Sequence, residues 1–101
     1  MKYNLSLRQL KTILVVSEQK RLIKASEILS LTPPAVTIQL RQAEEEIGLL
    51  LFDRTSDGLK LTDAGTEVAK SAQNIFGQLN DLSNKLDEVS FAKRGSVKIG
   101  I

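Results

Sequence analysis

The 101-residue chain contains no cysteine and no histidine. Disulfides are therefore excluded, as are thiolate or imidazole metal sites and any catalytic pair built on histidine. Tryptophan is also missing, and the aromatic residues are Tyr3, Phe52, Phe76 and Phe91 alone. That is too few for a platform on which successive single-stranded bases could stack. No apolar run approaches the roughly 20 residues that a membrane helix needs. The N-terminus, MKYNLSLRQL, has no apolar core of the signal-peptide kind, so the expected location is the cytoplasm. Aspartate and glutamate are present, but no metal-ligand cluster or phosphate-binding loop accompanies them. Neither an enzyme activity nor a cofactor is expected.

What is present belongs to an ordinary globular chain, with 42% hydrophobic and 26% charged residues. The length suits one domain, or one small domain with an extension, around a modest core. The net charge is only +2, but its placement is uneven. Residues 1–62 carry nine basic side chains against seven acidic ones, three of them in the block Glu44–Glu46, whereas residues 63–101 balance at five and five. A basic excess of this size is compatible with nucleic acid and equally with a mixed solvated surface.

Local signals divide the chain into elements. Ser6 followed three residues later by Gln9 is a capping box, so a helix starts near Leu7. Leu7, Leu10, Ile13, Leu14 and Ser17 share one face of it. The pattern breaks around Gln19–Arg21, and LIKASEILS gives a second, short helix with Leu22, Ala25, Ile28 and Leu29 inward. The consecutive prolines of LTPPAVTIQLRQAEEEIG then start a third helix rather than break one. Thr32 is a suitable N-cap, Pro33 fits the first helical position where its missing N–H costs nothing, and Pro34 is tolerated in the first turn. The spacing turns Val36, Leu40, Ala43 and Ile47 to the core and Pro34, Thr37, Ile38, Arg41 and Gln42 outward. Gly48 closes the helix. A short helix, a tight turn and a second helix form a helix-turn-helix.

In LFDRTSDGLKLT, an apolar start, a Ser56-Asp57-Gly58 turn and the alternating Leu59-Lys60-Leu61 predict a hairpin. The fold class is therefore mainly α: a winged helix-turn-helix of three helices and a two-stranded β-hairpin wing over residues 1–62. A long helix follows from Thr62, with Asp63 in its first turn. Its apolar positions Val68, Ala72, Ile75, Leu79, Leu82, Leu86 and Val89 repeat at heptad spacing, which predicts a coiled-coil linker and dimerisation helix over residues 63–92. A helix docked on its own domain is the competing expectation. Lys93–Ser96 read as a hinge, and Val97, Ile99 and Ile101 alternate as a strand would. A lone strand needs partners, so residues 93–101 are expected to open a further domain.

LRQL at Leu7–Leu10, KASEIL at Lys24–Leu29, the proline-headed helix, LFDRT at Leu51–Thr55, LTDAG at Leu61–Gly65 and the closing GSVKIG resemble, in order and spacing, the N-terminal region of LysR-type transcriptional regulators. The resemblance covers nearly the whole chain. It implies a bacterial, nucleoid-associated dimer whose linker helices pair antiparallel, a pseudo-palindromic double-stranded DNA site, and a C-terminal domain that binds a small-molecule effector. The full-length family member can form a tetramer.

Under that expectation the recognition helix reads base edges and the wing and flanks hold phosphates. The candidate DNA-binding residues are Lys24, Thr32, Pro33, Pro34, Ala35, Thr37, Ile38, Arg41, Arg54 and Lys60. Ala35 and Ile38 can touch thymine methyls, Thr37 a phosphate or a base, and Arg41 a phosphate or a guanine. Thr32 is equally read as a cap, and Lys24 as a solvated lysine. The chain departs from the family where glutamine usually stands at Pro33 and arginine often stands at Ile38. Asp57 and Gly58 also replace frequent basic residues at the wing tip, and Arg21 replaces a capping serine. The alternative function is a winged helix used for protein contact, with the coiled coil as its purpose.

Overall fold

The computed structural model describes residues 2–98, with side chains in the last helix described through Ala92. The elements follow in the order α1 (Leu7–Gln19), α2 (Leu22–Leu29), α3 (Pro33–Ile47), β1 (Phe52–Thr55), β2 (Gly58–Leu61) and α4 (Asp63–Lys98). Three helices, an antiparallel hairpin and a long helix make the winged helix-turn-helix with its extension. None of the helices among the described residues is long and apolar enough to cross a membrane.

Each start signal works as its chemistry requires. Ser6 Oγ accepts from the Gln9 N–H at 3.1 Å, while Gln9 Oε1 accepts from the Ser6 N–H at 2.9 Å, closing the capping box. Thr32 Oγ1 accepts from the Ala35 N–H at 3.3 Å ahead of the two prolines. Thr62 Oγ1 accepts from the Gly65 N–H at 3.0 Å and donates to the Leu50 carbonyl at 2.6 Å, so one hydroxyl both caps α4 and ties it to the chain before β1.

The main core gathers Ile13, Val16, Ala25, Val36, Leu40, Leu51 and Phe52 from four elements and the segment that leads into β1. Helix α1 lies at its centre, packed against α2, α3, α4 and β2. A helix covered on several sides buries more than one stripe, and Thr12, Val15 and Val16 are buried as well as Leu10, Ile13 and Leu14. The single-face expectation for α1 is corrected accordingly: Leu7 is half exposed. Ile28 is likewise exposed rather than inward on α2, where Ala25 and Ser26 take the buried positions. Ser26 can be buried because its hydroxyl donates to the Ile23 carbonyl at 2.7 Å. Helix α3 follows its expected division, with Val36, Leu40 and Ala43 buried and Ile47 half-buried.

Two features of α4 differ from the expectation. Val68, Ala72 and Ile75 pack with Phe76 against Leu10 and Leu14 of α1 in a second cluster, in which Ala72 is fully buried. Leu79, Leu82, Leu86 and Val89 lie on bare surface. The helix also continues through the expected hinge at Lys93–Ser96 and through Val97, ending at Lys98. No proline stands in that stretch, so every residue there keeps the N–H that a continuing helix needs. Ile99 and Ile101 of the expected strand lie outside the described residues.

Candidate nucleic-acid interface

Because Val36, Leu40 and Ala43 anchor α3 to the core, the opposite face of its first turns is set outward. Thr32, Pro33, Pro34, Ile38, Arg41 and Gln42 are exposed on that face, and Ala35 and Thr37 are half-buried. Ile38 is 53% exposed and offers an apolar surface on this face. Gln42 belongs on this face by the same period as Ile38 and is exposed, a position that the spacing alone did not single out as a contact. The Thr32 hydroxyl oxygen is engaged in the cap, which leaves its O–H as the group available to a partner.

The wing stands beside this face, and the hairpin register decides which of its side chains share the groove. Phe52 pairs with Leu61, Asp53 with Lys60, Arg54 with Leu59 and Thr55 with Gly58. Side chains alternate across a ladder, so Phe52, Arg54, Leu59 and Leu61 share one face, and Asp53 and Lys60 share the other. Arg54 therefore points to the same side as the buried Phe52, toward α3. Thr37, Arg41, Glu44 and Arg54 line one open groove of about 300 Å³ between α3 and the wing. Lys60 is not brought to that groove; it sits across the ladder from Asp53, whose opposite charge offsets it. The grouping of Arg54 with Lys60 is thus divided by the pleat. Lys24 is exposed on α2.

The acidic block is divided between that groove, which Glu44 lines, and the exposed end of α3. Glu44 is half-buried, and its Oε2 accepts from the Leu51 N–H at 2.8 Å and from the Phe52 N–H at 3.4 Å. This carboxylate belongs to the joint between α3 and β1, a role its position in a run of three glutamates did not signal. Glu45 and Glu46 are exposed in the last turns of α3, beyond the N-terminal half that carries Pro34, Thr37 and Ile38.

The sequence model of the bacterial regulatory helix-turn-helix proteins of the lysR family matches residues 7–66. The chain belongs to the lysR family. This LysR-type chain is 36% identical over 97 residues to the HTH-type transcriptional regulator CfxR of Cupriavidus necator, an alignment covering 96% of the chain and 31% of CfxR. It is 38% identical over 98 residues to the RuBisCO operon transcriptional regulator of Allochromatium vinosum, covering 97% of the chain and 32% of that protein. The chain thus spans about a third of the length of these relatives. Among solved structures, the complex of the CbnR DNA-binding domain with DNA matches at a TM-score of 0.76 and 26% identity, over 85% of this chain and 99% of that one. The BenM DNA-binding domain in complex with catB site 1 DNA matches at a TM-score of 0.80 over 85% of this chain and 97% of that one. At 24% identity this second likeness is one of fold.

Proposed function

We propose that this LysR-type chain binds double-stranded DNA in a sequence-dependent way as part of a transcriptional regulator, with α3 in the major groove. The observation that carries the reading is the outward face of α3, anchored by Val36, Leu40 and Ala43 and left uncovered from Pro34 to Arg41 beside Arg54 of the wing. Likeness to the DNA complex of the CbnR domain supports it. We assign Thr32, Pro33, Pro34, Ala35, Thr37, Ile38 and Arg41 to the groove, and Lys24 and Arg54 to phosphates. Lys60 is left a groove-edge contact on the far side of the wing. With proline and isoleucine among its readers, the helix is suited to thymine methyls and to sequence-dependent DNA shape more than to bidentate base contacts.

The domain division follows: residues 1–62 hold the DNA, and the following helix joins two copies. Leu79, Leu82, Leu86 and Val89 form the proposed homodimer seam, since together they leave an apolar stripe uncovered. Val68, Ala72 and Ile75 serve the chain's own core instead. The small-molecule effector and any tetramer are assigned to a full-length protein of the relatives' size. Its place is the cytoplasm, at the nucleoid, and its role is binding rather than catalysis.

The test is duplex binding at several salt concentrations, because phosphate contacts release counterions and steepen the salt dependence. We expect Arg54→Ala to weaken all duplexes about equally and Ile38→Ala to change the preferred sequence. Absent or salt-insensitive duplex binding would instead favour a winged helix devoted to protein contact.

A further inference from the structure

A second cleft lies between the wing and the start of α2. Lys20, Arg21 and Ile23 form one wall, Arg54, Gly58 and Leu59 the other, around a volume of about 280 Å³. Three basic residues and no acidic one line it. Among the described residues, no carboxylate lies within 4.0 Å of any of these cations. Such a concentration of unpaired positive charge in a concave surface attracts an anion.

Arg21 occupies the N-cap position of α2 without making a side-chain cap bond. A guanidinium has five donors and no acceptor, so it cannot serve the exposed N–H groups of a helix start. Its stem lies beside the wing turn, since a Cβ built on Gly58 would lie 3.7 Å from Arg21 Cγ. The wing is fixed to the same turn, because the Leu59 N–H donates to the Lys20 carbonyl at 2.7 Å. Arg21 and Arg54 are therefore carried on two elements bonded to each other, and both line the same cleft.

We propose that Arg21 and Arg54 form a two-pronged grip on the phosphodiester backbone of DNA, flanking the segment held by α3. The proposal rests on the DNA-binding reading and adds a contact to it. Planar guanidinium groups suit this task because each can make paired hydrogen bonds to phosphate oxygens. At position 21 the chain carries a phosphate-binding group where a capping side chain would serve helix stability.

The experiment compares the 101-residue chain with Arg21→Ser, Arg21→Gln and Arg21→Lys on two duplexes, one selected from a random pool and one unrelated. Arg21→Ser supplies a cap, so its thermal midpoint should rise, yet its affinity for both duplexes should fall about tenfold. The slope of log affinity against log salt should become shallower by about 0.9 for each phosphate that an arginine no longer neutralises. Arg21→Gln should show the same drop in affinity without the gain in stability, and Arg21→Lys should recover part of it. Parental affinity and slope in Arg21→Ser and Arg21→Gln would overturn the grip while leaving DNA binding intact. A weakening confined to the selected duplex, with the slope unchanged, would overturn it in favour of base reading. Inorganic phosphate added at constant ionic strength should not compete; competition seen in the parent and not in Arg21→Ser would overturn the grip in favour of a free-anion site. Failure of the parent to bind either duplex would remove the DNA reading and the grip together.

Discussion

Replacing Gly58 by alanine should do far more damage than replacing Gly48 by alanine, although both glycines have positive φ, at 118° and 84°. At Gly48 the added methyl meets nothing within 4 Å. The cost there is the left-handed backbone alone, about 1–2 kcal/mol, partly offset by the reduced entropy of the unfolded chain. A net destabilisation of about 1 kcal/mol is expected. At Gly58 the methyl would lie 2.3 Å from the Lys20 carbonyl oxygen, where at least 3.0 Å is needed. Backbone faces backbone, so neither side can rotate away, and the wing must withdraw by about 0.7 Å. That movement stretches the 2.7 Å bond from the Leu59 N–H to the same carbonyl. Strain at a φ outside the left-handed well, overpacking and a weakened hydrogen bond each cost about 1 kcal/mol or more. Together they give about 3 kcal/mol.

Urea unfolding at one protein concentration measures the two effects, read as a change in midpoint at constant slope. Because a hairpin can open without the whole domain unfolding, amide exchange at Leu59 is the sharper measurement, and protection there should drop in Gly58→Ala and not in Gly48→Ala. Gly58→Ala should also weaken duplex binding, since Arg54 moves with the wing. Equal midpoints for the two variants, with Leu59 still protected, would refute the reasoning.

Other bonds and buried positions carry tests of their own. Glu44→Ala removes the acceptor of the Leu51 and Phe52 amides, so it should cost about 1.5–3 kcal/mol in urea unfolding, with Glu44→Gln milder because its amide oxygen can still accept. Leu79→Asp should convert dimers to monomers in sedimentation while leaving the fold intact, as Leu79 lies on open surface. Ala72→Asp, on the same heptad stripe, should instead unfold the domain, because Ala72 is fully buried against Leu10 and Leu14. An unchanged dimer in Leu79→Asp, or a folded Ala72→Asp monomer, would contradict the division of α4 at Ile75.

Much of the fold was legible because it is specified by neighbours in sequence. Ser6 with Gln9, Thr32 before two prolines, and Thr62 before Asp63 each set a helix start through contacts three residues away. The Ser56-Asp57 turn set the hairpin, and the inward spacing of Val36, Leu40 and Ala43 set the outward face of α3. The candidate site was legible to the same extent, in the helix that presents it and the basic residues around it.

What the sequence by itself determined, then, is which segments become helices or strands and which face of α3 points outward, because a cap, a turn and a period are complete within a few residues. Only the tertiary structure decided how those elements share their surfaces. The heptads of α4 are uniform from Val68 to Val89, yet α1 covers the first part and leaves the rest bare. Arg54 and Lys60 are alike in charge, yet the pleat and the docking of Phe52 send them to opposite sides of the wing. Arg21 gains its place beside the wing through the bond between the Lys20 carbonyl and the Leu59 amide, far apart along the chain. Burial and register depend on partners distant in sequence, and those are fixed only when the elements pack.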